Sequence, residues 1–205
     1  MPVQTDFRAM APGLAVSLNG IQLLTLSSDG LNILNVGVSG DRISPEFANL
    51  NISGGLYGEE DEKHLIWAAD RVVCPGDEIG VTLLECATTS EPGATIEELY
   101  SDDKDRQGPW PSVERVLEGL AQRPHLRERF AFVITAPSEQ SIRATTLPND
   151  HSFNFSVMWN WLNPDQARVS LRSNTLDGIA KRQGGSTHAK FVLRVGQRVQ
   201  FRVES

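Results

Sequence analysis

Apolar and polar residues alternate with a period of two along most of the chain, which is typical of β-strands with one buried face. The clearest hairpin runs from Leu14 to Leu26 around Asn19–Gly20, a pair that suits a type I′ turn because both residues readily take positive φ. Other strand-like segments, several of which end near Gly or Pro residues, are 31–38, 48–53, 64–69, 130–134, 153–159 and 168–172. The pattern predicts a mainly β protein with antiparallel strands.

One stretch of this pattern occurs twice. Residues 70–85 are typical of a strand, a Pro-Gly corner and a second strand, and residues 190–204 repeat that order 120 positions later. The aligned positions are Gly76 with Gly196, Ile79 with Val199, Val81 with Phe201 and Leu83 with Val203. An internal duplication predicts two tandem antiparallel units, each sandwich- or barrel-like. Chance likeness between all-β sequences with regular turns is the alternative.

The chain divides into three parts. A β unit over 1–86 and a second one over 128–205 are separated by a polar, turn-rich linker over 87–127. Within the linker we expect one short helix at about 112–122, capped by Ser112. Its apolar face, predicted to pack on a sheet, consists of Val113, Val116, Leu117 and Leu120.

Charge separates the two units. The chain has a net charge of −7, yet residues 14–86 contain eleven acids and three bases, whereas residues 128–205 contain six acids and ten bases. The first unit is therefore acidic and the second basic. This asymmetry indicates either complementary packing of the two units or binding of external partners.

The composition is that of a globular protein, with 40% hydrophobic and 22% charged residues. No apolar run approaches the roughly 20 residues that cross a bilayer, and the first residues lack the basic and apolar regions of a secretory signal. We expect a cytoplasmic protein that does not bind membranes.

Part of the first unit is similar to known sequences. The string His64-Leu65-Ile66-Trp67, followed by Arg71, Val73, Gly76-Asp77-Glu78-Ile79, Val81 and Glu85, resembles a pattern of small uncharacterised bacterial proteins. The resemblance implies a bacterial cytosolic protein and assigns no catalytic residue. The second unit keeps the glycine but has Gln197–Arg198 in place of Asp77–Glu78.

Sequence signatures of catalysis are absent. The chain has no Gly-x-Ser-x-Gly elbow, no phosphate-binding loop, no His-Glu-x-x-His and no Cys-x-x-Cys. Residues 59–64 form the best candidate for a hard cation, but a solvated acidic loop explains them more simply. We expect a non-enzymatic protein without cofactor or metal, while an enzyme that uses scattered acids stays an open alternative.

The favoured function is protein binding, in the form of an immunity- or antitoxin-like inhibitor that covers a basic surface. Interfaces commonly combine an aromatic centre with charged residues that speed association. The residues predicted to contact the partner are Glu59, Glu60, Asp61, Glu62, Trp67, Asp102, Asp103, Asp105 and Trp110.

A ligand-binding module, for carbohydrate or another ligand, is the alternative. Trp159 and Trp161 are two residues apart, so an uninterrupted strand would place both rings on one face as a stacking platform. Asn160, Lys181 and Arg182 complete this candidate site. A pI near 5.1 and the lack of a recognition helix argue against nucleic acid as the main partner.

Overall fold

The computed structural model describes residues 10–58, 62–100 and 111–204. The chain is mainly β, as predicted, with twelve strands and three short helices in these residues. The strands are β1 (Ala11–Leu18), β2 (Ile21–Ser27), β3 (Ile33–Asp41), β4 (Ala48–Leu56), β5 (Lys63–Val73), β6 (Glu78–Cys86), β7 (Ala131–Thr135), β8 (Ser141–Thr145), β9 (Ser152–Asn160), β10 (Gln166–Asn174), β11 (Ser186–Arg194) and β12 (Arg198–Glu204). The helices are α1 (Ile96–Leu99), α2 (Val113–Ala121) and α3 (Leu176–Ala180).

The strands form two antiparallel six-stranded sheets. Sheet A has the order β2-β1-β6-β12-β7-β8, and sheet B has the order β11-β10-β9-β3-β4-β5. Each half of the chain contributes three neighbouring strands to each sheet. The halves are therefore two sandwich-like units joined edge to edge, and their sheets are continuous across the junction.

The junction in sheet A relates the two halves by a local two-fold. Val81 of β6 pairs with Val199 of β12, and the equivalent pair, Ile79 with Phe201, lies on the other side of Gly80. The Pro75–Gly76 corner before β6 and the Val195–Gly196 corner before β12 are also equivalent. The Gly76 amide donates to the Val203 carbonyl at 2.9 Å, and the Gly196 amide donates to the Leu83 carbonyl at 2.8 Å. The 120-residue alignment thus describes equivalent positions in the fold.

Sheet B shows the same correspondence. β3 pairs with β9 around Gly37 and Ser156, so that Asn35 and Asn154 occupy equivalent positions on either side. Exchanging the halves leaves the strand order of both sheets unchanged. This repeated arrangement is what a duplication produces, and common ancestry of the halves stays a prediction.

One hydrophobic core lies between the sheets and runs through both halves. Phe155 of sheet B stacks on Phe201 of sheet A with ring centroids 4.2 Å apart. Phe132 and Phe153 also contact across the sandwich, at 4.9 Å. These rings join the two sheets within the second half, and the same core cluster continues through the buried strands of the first half.

The connecting segment differs from the prediction. α2 begins after Ser112, whose hydroxyl accepts the Arg115 amide at 3.3 Å as an N-cap. However, none of its residues is buried, and Val113 and Val116 are 55% and 43% exposed. The predicted packing of this apolar face on a sheet is wrong, because α2 lies against α3 and not on the core.

Candidate partner-binding surface

Asn32, in the turn between β2 and β3, joins two aromatic residues from opposite halves of the chain. Its side-chain amide donates to the Tyr57 carbonyl at 2.7 Å, and its side-chain oxygen accepts the Tyr57 amide at 3.1 Å. Its backbone carbonyl accepts the Trp161 amide at 3.0 Å. Tyr57 follows β4 and Trp161 follows β9, so Asn32 holds the ends of both strands together.

The side chains at this end of the sandwich are exposed although they are apolar or aromatic. Trp161 is 61% exposed, Leu162 is 70% exposed and Tyr57 is 40% exposed. The Tyr57 hydroxyl shares a hydrogen bond with Nδ1 of His64, which orients its ring. We call Tyr57, Trp161 and Leu162 the Tyr57–Trp161 surface.

Negative charge borders this surface. Glu62, the described member of the first predicted acidic cluster, is exposed and accepts the Gly58 amide at 2.9 Å. Burial and then the charge of Glu62 raise the pKa of the Tyr57 phenol above its ordinary value, so the carboxylate acts directly on the aromatic surface. Glu59, Glu60 and Asp61, the other predicted residues of this cluster, lie outside the described residues.

The predicted aromatic platform is wrong. Trp159 is only 3% exposed and points into the core, where its indole N–H donates to the Pro164 carbonyl at 2.9 Å. Trp161 lies beyond the end of β9, in a turn, so the strand alternation that would place both rings on one face does not reach it. Of these two tryptophans, only Trp161 has an exposed ring that a ligand could contact. Asn160, at the end of the strand, has a buried side-chain oxygen without a hydrogen-bond partner among the described residues.

Trp67 does not belong to the exposed surface either. It lies in the middle of β5, is partly buried against the core, and donates from its indole N–H to the Glu91 carbonyl at 2.9 Å. Its ring packs over Gly54 and Gly93, and its contact with a partner stays a prediction. The remaining predicted partner residues, Asp102, Asp103, Asp105 and Trp110, lie outside the described residues.

The predicted cationic residues Lys181 and Arg182 follow α3 and are exposed. Lys181 forms an ion pair with Asp177 at 2.8 Å, one helical turn away. Arg182 has positive φ, at 52°, where the chain leaves the helix. Because Trp159 is buried, these residues do not border an aromatic platform.

A serine, a histidine and an aspartate come together on sheet B without forming a catalytic triad. The Ser173 hydroxyl lies 2.5 Å from Asp150 Oδ2 and 2.7 Å from His188 Nε2. In a triad the histidine stands between the acid and the nucleophile. Here the serine occupies the middle position and is 0% exposed, so its oxygen is closed to any substrate. The three side chains instead link β10, β11 and the turn before β9.

The ion pairs in the described part of the chain all lie within the second half. They join Arg143 and Arg202 to Glu204, and Lys181 to Asp177. None of the described acids of the first half is neutralised by a base of the second half through an ion pair. Among the described residues, the charge asymmetry therefore gives no ion pair between the halves, although the Gln200 side-chain amide donates to the Glu78 carboxylate across the junction at 2.6 Å.

Two further findings concern the described residues. They contain no group of three or more His, Cys, Asp or Glu side chains placed to hold a metal ion. Nor do they include a helix with the length and apolar character needed to cross a membrane.

Comparison of the chain with protein-family models, with curated proteins and with solved structures finds no match. The resemblance noted for residues 64–85 accordingly stays a prediction.

Proposed function

We propose that this protein is a binding module that recognises another protein with a basic surface through the Tyr57–Trp161 surface. The observation that carries the proposal is the junction at Asn32, which brings exposed aromatic residues of both halves to one end of the sandwich. The most concrete form is an immunity- or antitoxin-like inhibitor that covers a basic site of its partner.

The chemistry of the surface supports this role. Tyr and Trp are enriched among the few interface residues that supply most of the binding energy, because they bury a large area at a small cost in conformational entropy. Trp161 and Leu162 are more than half exposed, so most of their apolar area stays in water and does not stabilise the fold. A partner that covers them removes their apolar area from water, which favours the complex.

The charge supports a basic partner. Eleven acids against three bases over residues 14–86 repel one another and slightly destabilise the fold. The described acids among them have no ion-pair partner in the second half, so intramolecular neutralisation does not explain them. Opposite charge on a partner raises the association rate by steering the encounter.

The proposal is tested by capture from a lysate of the source organism with immobilised wild-type protein and matched variants. Trp161→Ser and Leu162→Ser remove the proposed anchors. Ile21→Ser is the control, because Ile21 is as exposed as Leu162, at 70%, but lies at the opposite end of β2 from the turn that contains Asn32. Captured proteins are quantified by mass spectrometry.

We expect a protein with a basic surface that is retained by wild type and Ile21→Ser and lost with the other two variants. Each anchor truncation should cost about 2 kcal/mol or more of binding free energy. Equal capture by all four proteins would show that the Tyr57–Trp161 surface is not the interface.

A further inference from the structure

The outer face of sheet B has an unusual composition. Short amide and hydroxyl side chains line its four central strands, at Asn35, Ser39, Asn49, Asn51, Ser53, Asn154, Ser156 and Ser170. Asn is depleted in strands, which are enriched in β-branched and aromatic residues, and half of these eight positions are Asn. A choice that opposes the local preference is expected where a surface has a function.

A cavity of about 310 Å³ opens at one end of this face, where β3 ends and β9 begins. Ser39, Asp41, Glu46, Asn49, Asn154 and Asn174 line it. Ligand pockets span about 300 to 1,000 Å³, so this cavity suits a ligand of roughly the size of one sugar ring. Gly40 also lines it, and the ring of Phe153 lies so close to Gly40 that a Cβ there would be 2.7 Å from it.

The lining offers hydrogen bonds that the protein does not use. The side-chain oxygen of Asn49 is buried and has no partner among the described residues. A buried acceptor left without a hydrogen bond is costly, and the Asn49 side chain that carries it is part of the cavity lining. Amides donate and accept, as hydroxyls do, so an amide-lined cavity matches a ligand with several hydroxyl groups.

The charge of the lining decides which ligands are rejected. Burial alone raises the pKa of Asp41, but hydrogen bonds from the Ser44 hydroxyl and from the amides of Ile43 and Ser44 outweigh it, so the pKa lies below its ordinary value. Asp41 is therefore ionised. Its two oxygens are occupied by these bonds, at 2.7 to 2.9 Å. The lining contains acidic side chains and no basic one, which disfavours phosphate and other anions.

We propose that this cavity binds a neutral saccharide unit, held by the amide groups of Asn49, Asn154 and Asn174. The site is separate from the Tyr57–Trp161 surface, which lies at the other end of β3 and β9. The proposal does not depend on the protein-binding function, and a negative result for either one leaves the other untouched.

The test is an NMR titration of the ¹⁵N-labelled full chain with glucose, galactose, mannose and N-acetylglucosamine. A ligand of this size binds with a dissociation constant of about 1 to 10 mM, so each sugar is added to about 50 mM. Cyclohexanol, which has a single hydroxyl, and inorganic phosphate are the control probes. We expect the side-chain amides of the three asparagines to shift with at least one sugar and with neither control.

Asn154→Ala and Asn35→Ala form a matched pair of variants. The two residues occupy equivalent positions in the two halves, but only Asn154 lines the cavity. Asn154→Ala should weaken binding of the sugar about 3- to 10-fold, the effect of losing one hydrogen bond, and Asn35→Ala should leave it unchanged. No shift with any of the sugars, equal shifts with cyclohexanol or phosphate, or equal effects of both variants would overturn the proposal.

Discussion

His151 is a buried histidine whose surroundings oppose its protonation. It is 7% exposed, and its Nδ1 has no hydrogen-bond partner among the described residues. Burial lowers its pKa below the ordinary value of 6.5, the positive charges of His125 and Arg42 lower it further, and Asp41 only partly offsets them. The folded chain therefore keeps this imidazole neutral at a pH where the unfolded chain begins to bind a proton.

The first prediction follows from this difference. Between the unfolded pKa of about 6.5 and the lower folded pKa, the unfolded state binds more protons, so the free energy of unfolding falls as the pH falls, by at most about 1.4 kcal/mol per pH unit. In His151→Asn this slope should disappear from the window just below pH 6.5. Urea unfolding of both proteins between pH 7.5 and 5.5 measures it. The same slope in the variant would contradict the assignment to His151.

Trp159, in β9, and Trp161, in the turn after it, show where a sequence pattern stops being reliable for single residues. Alternation correctly places Phe153, Phe155 and Trp159 on one face, and that face is the core. The prediction fails at Trp161 because the strand ends at Asn160, and strand ends depend on neighbouring loops that the pattern does not encode. The junction at Asn32 could not be predicted either, because its partners Tyr57 and Trp161 are far from it in the sequence.

At the scale of elements, period-two alternation found the strands that have a buried face. It missed β8, in which Ile142 and Ala144 are the only apolar residues of a five-residue edge strand. It also missed α1 and α3, which span only four and five residues. The helix pattern of α2 was right about the helix and wrong about its packing, because an apolar stripe does not specify what covers it.

The second prediction concerns α2. Leu117→Ala should lower the free energy of unfolding by less than about 1 kcal/mol, because Leu117 is half-buried on an exposed helix and alanine is an equally good helix former. Leu83→Ala in β6 is the matched control. Leu83 is 0% exposed, so the same change should cost about 2 to 5 kcal/mol. Chemical denaturation compares them, and equal losses would show that α2 is part of the core.

For the whole molecule, the sequence predicted two units but not how they join. The repeat over 70–85 and 190–204 revealed that the halves are alike. It could not show that β6 pairs with β12 and β3 with β9, because pairing between separate repeats depends on contacts more than 100 residues apart. That pairing makes the edges of each unit the centre of the complete sandwich.

The third prediction tests this joining. A fragment of residues 10–99 exposes the β3 and β6 edges and the apolar residues beside them, which unpaired strands do not tolerate well in water. We expect it to be unfolded or to form a dimer in which a second copy replaces the missing half. Circular dichroism and light scattering distinguish these states. A folded monomer with its own cooperative transition would show that the halves are independent.

The proposed recognition of a basic partner is a property of the whole charge distribution. Replacing Glu59, Glu60, Asp61 and Glu62 by Gln or Asn removes four of the eleven acids of residues 14–86 without adding volume. Four consecutive like charges repel one another, so removing them should leave the variant able to fold like the wild type. Steering acts before contact and is screened beyond about 8 Å at 0.15 M ionic strength.

The most direct measurement is the association rate constant of the captured partner as a function of salt, for wild type and this quadruple variant. The account predicts that the variant associates about tenfold more slowly at low salt, that its rate depends less on salt, and that the two rates converge at high ionic strength. Identical rates and identical salt slopes would contradict recognition of a basic partner by the acidic half.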